Sequence, residues 1–121
     1  MSGGSASQAE RAETIDEVLY VALIQFSELA KDADIEDLSL FQKMIFHAIT
    51  NFEITPAKIS EEFGLSKGTI SKWMNGKAAP HPMIRRLVVN WIGEQALAKA
   101  IELDAVREAF KTRLRKAKPS K

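Results

Sequence analysis

An all-α fold, a compact helical bundle, is what this chain of 121 residues predicts. Apolar side chains recur at three- and four-residue spacing through several segments, the period of a helix with one buried face. No segment sustains the two-residue alternation of a strand, and no internal repeat is present. Hydroxyl residues, one of them followed by proline, stand before two short segments and glycines after them, as helix starts and stops require.

Composition sets the outer limits. With 45% hydrophobic and 27% charged residues the chain belongs with folded globular proteins. Its length suits one domain, read as residues 14–110, between a flexible stretch over 1–13 and a basic tail over 111–121. There is no cysteine, hence no disulfide framework or thiolate metal site, and His47 and His81 alone make a poor zinc ligand set. No cofactor and no metal site is expected. No uncharged apolar run approaches the roughly 20 residues that cross a bilayer. The opening Met1-Ser2-Gly3-Gly4-Ser5-Ala6-Ser7 lacks a basic region followed by an apolar stretch, so the expectation is a cytoplasmic chain with no membrane role. Charge is unevenly spread: residues 1–50 hold three Lys or Arg against nine Asp or Glu, and residues 51–121 hold fourteen against seven. A basic half beside an acidic one suggests a surface that faces a polyanion, although uneven solvated charge gives the same count.

In chain order, Thr14-Ile15-Asp16-Glu17 has the hydroxyl-to-Glu spacing of a capping box. A helix over 14–31 follows, its apolar face running through Ile15, Val18, Leu19, Ala22, Leu23, Phe26, Leu29 and Ala30, with Asp32-Ala33-Asp34 as its end. A second amphipathic helix covers 37–51, its apolar stripe Leu38, Phe41, Met44, Ile45, Ala48, Ile49 and Phe52. Thr55-Pro56 starts a third, because a proline in the first turn lacks only an N–H that has no partner there. Gly64 closes it, Ser66 caps the next, and Asn75-Gly76 ends that one. After Pro80-His81-Pro82, the stripe Met83, Ile84, Leu87, Val88, Trp91 and Ile92 gives a fifth helix, punctuated at Gly93. From Glu94 to about Leu114 a last helix passes into the basic tail.

The informative segment is 55–76. Two short helices that cross through a tight turn need a glycine-like turn residue, here Gly64, and a small residue where their backbones approach, here Ser60. Ile59, Phe63, Leu65, Ile70 and Trp73 occupy the positions that a shared buried seam requires to be apolar. Trp73 is therefore expected in the core rather than stacked on a base, and Trp91 likewise.

That segment, with Ser66-Lys67-Gly68-Thr69-Ile70-Ser71 at its second start and Trp73-Met74-Asn75-Gly76-Lys77 at its end, resembles the helix-turn-helix of the Cro and phage-repressor family. Helices before and after it correspond to that family's flanking helices, and the N-terminal helix looks like an addition. The resemblance implies a second motif helix, 66–75, seated in the DNA major groove. Lys67, Gly68, Thr69, Ser71 and Lys72 are then the base-reading residues, with Gly68 allowing close approach. Ser66, Asn75 and Lys77 contact phosphate and set the register. Pro56 departs from the family, whose members often carry there a glutamine that bonds a phosphate.

The implied function is a sequence-specific double-stranded DNA-binding transcriptional regulator, a repressor by occlusion. One motif reads few base pairs, so a homodimer on two half-sites is expected, closed either by the N-terminal helix or by the helix from Glu94 onward. The alternative is a protein-interaction or antitoxin-like module, its acidic N-terminal helix docking a partner. Arg85 and Arg86 are candidates either for further phosphate contacts or for ordinary exposure on the surface. With no cysteine, no Ser/His/Asp grouping and no phosphate-cradling glycine loop, no catalytic residue is assigned and an enzyme is not expected.

Overall fold

Five helices follow one another, and no strand occurs among the described residues: α1 (Ser7–Asp32), α2 (Leu38–Phe52), α3 (Pro56–Phe63), α4 (Lys67–Met74) and α5 (Pro82–Ala117). The structure is a computed structural model that describes residues 7–117, with side-chain environments for residues 16–116. The two long helices lie antiparallel. Arg86 Nη2 donates to Ala33 O at 2.8 Å, Gly93 faces Ala30, and the Arg107 guanidinium lies 5.7 Å from the centre of the Tyr20 ring. Each later position on α5 thus meets an earlier one on α1.

Local chemistry explains where the middle helices begin and end. Asp37 Oδ1 accepts from Leu40 N–H at 3.1 Å, Thr55 Oγ1 from Lys58 N–H at 3.2 Å, and Ser66 Oγ from Thr69 N–H at 3.1 Å. Each satisfies one N–H that its helix leaves without a partner, an arrangement worth about 1 kcal/mol. α2 ends at Glu53, which takes a left-handed conformation at φ 57°, and Ile54 N–H then returns to Ala48 O at 3.0 Å. The core lies between α1, α2 and α5, where Leu23, Phe26, Met44, Ile45, Val88 and Ile92 are buried. Phe26 and Phe52 meet with ring centres 5.0 Å apart. It extends beneath α3 and α4 through Ile54, Ile59, Ile70 and Trp73. Each such side chain contributes roughly 1.5–3 kcal/mol by leaving water.

Two expectations are corrected. First, α1 begins at Ser7 rather than Thr14, so the described part of the supposed flexible stretch is helical; residues 1–6 lie outside the described residues. Gln8, Ala9, Glu10, Arg11 and Ala12 are all good helix formers, and a hydroxyl-to-Glu spacing inside such a run is no barrier to propagation. Second, Gly93 ends nothing. α5 passes through it as one helix of 36 residues. A Cβ on Gly93 would lie 2.6 Å from Ala30 Cβ, so the glycine admits the close approach of α1, beside buried Ala96 and Ala100. The helix expected to about Leu114 runs to Ala117, and residues 118–121 fall outside the described residues.

Candidate functional site

α3 and α4 are each eight residues long and are joined by Gly64-Leu65-Ser66. Gly64 supplies the left-handed φ of 65° that the turn needs, and Gly64 and Leu65 both donate their N–H to Ser60 O. Ile59 from α3 and Ile70 and Trp73 from α4 are fully buried in the seam, with Phe63 and Leu65 half-buried beside them. Phe63 continues the packing onto Trp91 of α5, ring centres 5.7 Å apart and nearly perpendicular. Trp91 is thus half-buried against that seam rather than enclosed.

With Ile70 and Trp73 facing inward, the rest of α4 is set by the helical repeat. At about 100° per residue, Lys67, Ser71, Asn75, Gly68 and Lys72 span an arc of roughly 140° on the opposite side. All five are exposed. Lys67 and Lys72 stand at the two edges of the arc, with the small residues Gly68 and Ser71 between them. Thr69 is different: it is half-buried, lies outside that arc, and its hydroxyl is 3.0 Å from Ser66 Oγ. Ser66 is exposed, but its oxygen already serves as the cap of α4.

The C-terminal end of α4 is fixed from a distance. Gly76 adopts φ 72°, its N–H reaching Trp73 O at 3.2 Å, and Lys77 N–H reaches Lys72 O at 2.9 Å, so the last carbonyls are satisfied. Met74 O accepts instead from Gln42 Nε2 of α2 at 3.0 Å. Phe41, next to Gln42, meets Trp73 edge-on with ring centres 5.7 Å apart. Gln42 gave no local signal in the sequence, because its partner lies 32 positions away.

Among the described residues, Lys67, Lys72 and Lys77 enter no ion pair; the pairs found there are Lys31–Glu28, Arg85–Glu36, Arg107–Asp104 and Lys111–Glu108. Their ammonium groups are free to meet an external anion. Exposed Glu61 and Glu62 on α3 bear the opposite charge, so the cationic surface is the α4 face and its two ends, not the whole helix pair.

Arg85 is removed from the candidates. It is buried, donating through Nε to Ile35 O and through Nη1 to Pro80 O, each at 2.6 Å, and so ties the α1–α2 link to the start of α5. Arg86 likewise donates to Ala33 O. His81 caps the start of α5, its Nδ1 accepting from Met83 N–H at 3.1 Å, and His47 is exposed with its Nδ1 2.7 Å from Asn51 Nδ2. Among the described residues no group of three or more His, Cys, Asp or Glu could hold a metal ion, and no helix is long and apolar enough to cross a membrane.

Both helices considered for association carry uncovered apolar residues: Val18, Val21 and Leu29 on α1, and Ile101, Val106, Phe110 and Leu114 on α5. Comparison with protein-family models, curated proteins and solved structures gives no match for this chain.

Proposed function

We propose that this chain is a sequence-specific double-stranded DNA-binding regulator that reads the major groove with α4, acts as a homodimer, and represses by occupying its site. In this reading α3 and α4 form a helix-turn-helix of the Cro and phage-repressor kind. The observation that carries the reading is the exposed arc of α4: two unpaired lysines flank small polar residues on a helix anchored from behind by Ile70 and Trp73. Lysine donates well to guanine O6 and N7, the serine hydroxyl pairs with several bases, and Gly68 lets backbone come close. Asn75 and Lys77 at one end, and Ser66 at the other, stand where phosphates flank a helix lying in the groove. Thr69, tied to Ser66, acts on the register of that end rather than as an independent reader. Glu61 and Glu62 repel phosphate and so restrict the approach of the duplex to the α4 side. Acting on DNA puts the chain's work in the cytoplasm, at the nucleoid.

Selection of bound duplexes from a random pool, followed by affinity measurement over a range of salt, tests this. A two-fold symmetric enriched site with steep salt dependence is expected. Lys67→Ala with Lys72→Ala lowers affinity for that site by roughly 10- to 1000-fold with an unchanged helical spectrum. Absence of any enriched sequence, together with indifference to the double substitution, overturns the reading.

A further inference from the structure

The inner stripe of α5 outlasts the helices that cover it. Val88, Ile92, Ala96 and Ala100 are buried, Leu103 is half-buried, and then Val106, Phe110 and Leu114, which continue the same face at helical spacing, are 61%, 58% and 51% exposed. Where the cover ends, beside the C-terminus of α2, a cavity of about 300 Å³ opens between Leu19, Leu23, Phe52, Leu103 and Val106. Hole and knob thus sit on one helix: the cavity ends at Val106, and Phe110 projects one turn, about 6 Å, further along.

We propose that this end of α5 is a self-complementary dimer surface, in which Phe110 of one copy enters the cavity at Val106 of a second copy lying antiparallel to it. An antiparallel pair centred between Val106 and Phe110 is the two-fold arrangement in which both rings reach both cavities at once.

Charge selects a second copy as the occupant. The cavity rim carries the carboxylates of Glu53 and Glu102, with Lys99 the lone base, and lies at the carbonyl end of α2. Beyond Phe110 the helix carries Lys111, Arg113, Arg115 and Lys116, of which only Lys111 is ion-paired among the described residues. In the antiparallel pair the basic end of each copy passes over the acidic rim of the other. Glu102 and Arg113 lie on the same flank of α5, so Glu102 of one copy comes level with Arg113 of the second within about one residue's rise of 1.5 Å. A parallel pair would instead set base against base. Since the contact rests on one aromatic anchor and a short stripe, a dissociation constant near the micromolar range is expected.

This surface details the homodimer of the DNA-binding reading, but it is measured without DNA, so its failure leaves DNA binding through α4 as a separate question. Sedimentation of the full chain from about 1 to 100 µM should show a monomer–dimer equilibrium. Phe110→Glu should weaken it about 100-fold, and Val106→Trp, which fills the cavity mouth without adding charge, should do the same. Both positions are exposed in the monomer, so an unchanged helical spectrum is expected. Arg113→Glu should weaken association, and adding Glu102→Arg should restore it to within a few-fold of the original. Val21→Glu on the outer face of α1 should change nothing. A chain monomeric at 100 µM, a dimer indifferent to Phe110→Glu and Val106→Trp, one lost on Val21→Glu, or a charge exchange without recovery overturns the proposal.

Discussion

Gln42 holds the end of a helix that lies 32 positions further along the chain: its Nε2 donates to the carbonyl of Met74, the last residue of α4, at 3.0 Å. With Phe41 against Trp73, it makes α2 the bracket on which α4 is aimed. Gln42→Ala removes the donor and leaves a partly buried carbonyl unsatisfied. A loss of about 1 kcal/mol in urea unfolding is expected. Under the DNA-binding reading the same variant binds its selected site more weakly although no DNA-facing side chain has changed; Gln42→Glu, which has no donor at that atom when ionised, should behave alike.

Gly76 and Gly64 both take positive φ, and their alanine variants separate strain from crowding. At Gly64 an added Cβ meets nothing within 4 Å, so Gly64→Ala costs only the left-handed backbone, roughly 1 kcal/mol. At Gly76 the same atom comes within 2.9 Å of Gln42 Oε1, and the Gln42 bond to Met74 O is disturbed as well. Gly76→Ala is therefore the more damaging, by about 1 kcal/mol. In the Gln42→Ala background that excess should largely vanish, which a double-mutant cycle in denaturant detects.

Gly93→Ala would drive its Cβ to 2.6 Å from Ala30 Cβ. Helix propensity alone favours alanine, by about 1 kcal/mol. Overpacking works the other way, at about 1–3 kcal/mol, because α1 must move off α5 to make room. We expect a net loss of thermal stability, recovered in part by Ala30→Gly. A single variant more stable than the original protein would mean that the two helices are free to separate there.

Arg85→Met removes the donors from Ile35 O and Pro80 O, both in a part-buried setting, and should cost about 2–4 kcal/mol. The loss should be the same in low and in molar salt, since the exposed Glu36 carboxylate at 3.9 Å is a minor partner. A strong salt dependence would assign the residue's contribution to that ion pair.

Where a structural signal is local, the sequence carries it. Thr55-Pro56, Gly64, Ser66 and Gly76 delimit α3 and α4 within one turn of themselves, and their caps are formed as read. Burial of Ile70 and Trp73 followed from the helical period, and with it the choice of which α4 residues face outward. Gly93 was misread because glycine serves two purposes, ending helices and letting them touch, and only the position of Ala30 distinguishes them. The role of Arg85 is not legible in the sequence, because a guanidinium looks the same there whether it meets phosphate, water or two carbonyls, one of them 50 positions away. Thr69, two residues after Lys67, stands outside the arc that the other expected base readers share, which the helical repeat alone makes legible.

The pairing of α1 with α5 joins residues that lie far apart along the chain. Arg86 reaches Ala33 across 53 positions of chain, so closing that contact costs more loop entropy than forming the α3–α4 pair, whose members are separated by a three-residue turn. During synthesis, Leu23, Phe26 and Ala30 emerge long before the α5 residues that bury them. Until then the growing chain leaves the apolar face of α1 uncovered, and uncovered apolar surface of that kind favours aggregation.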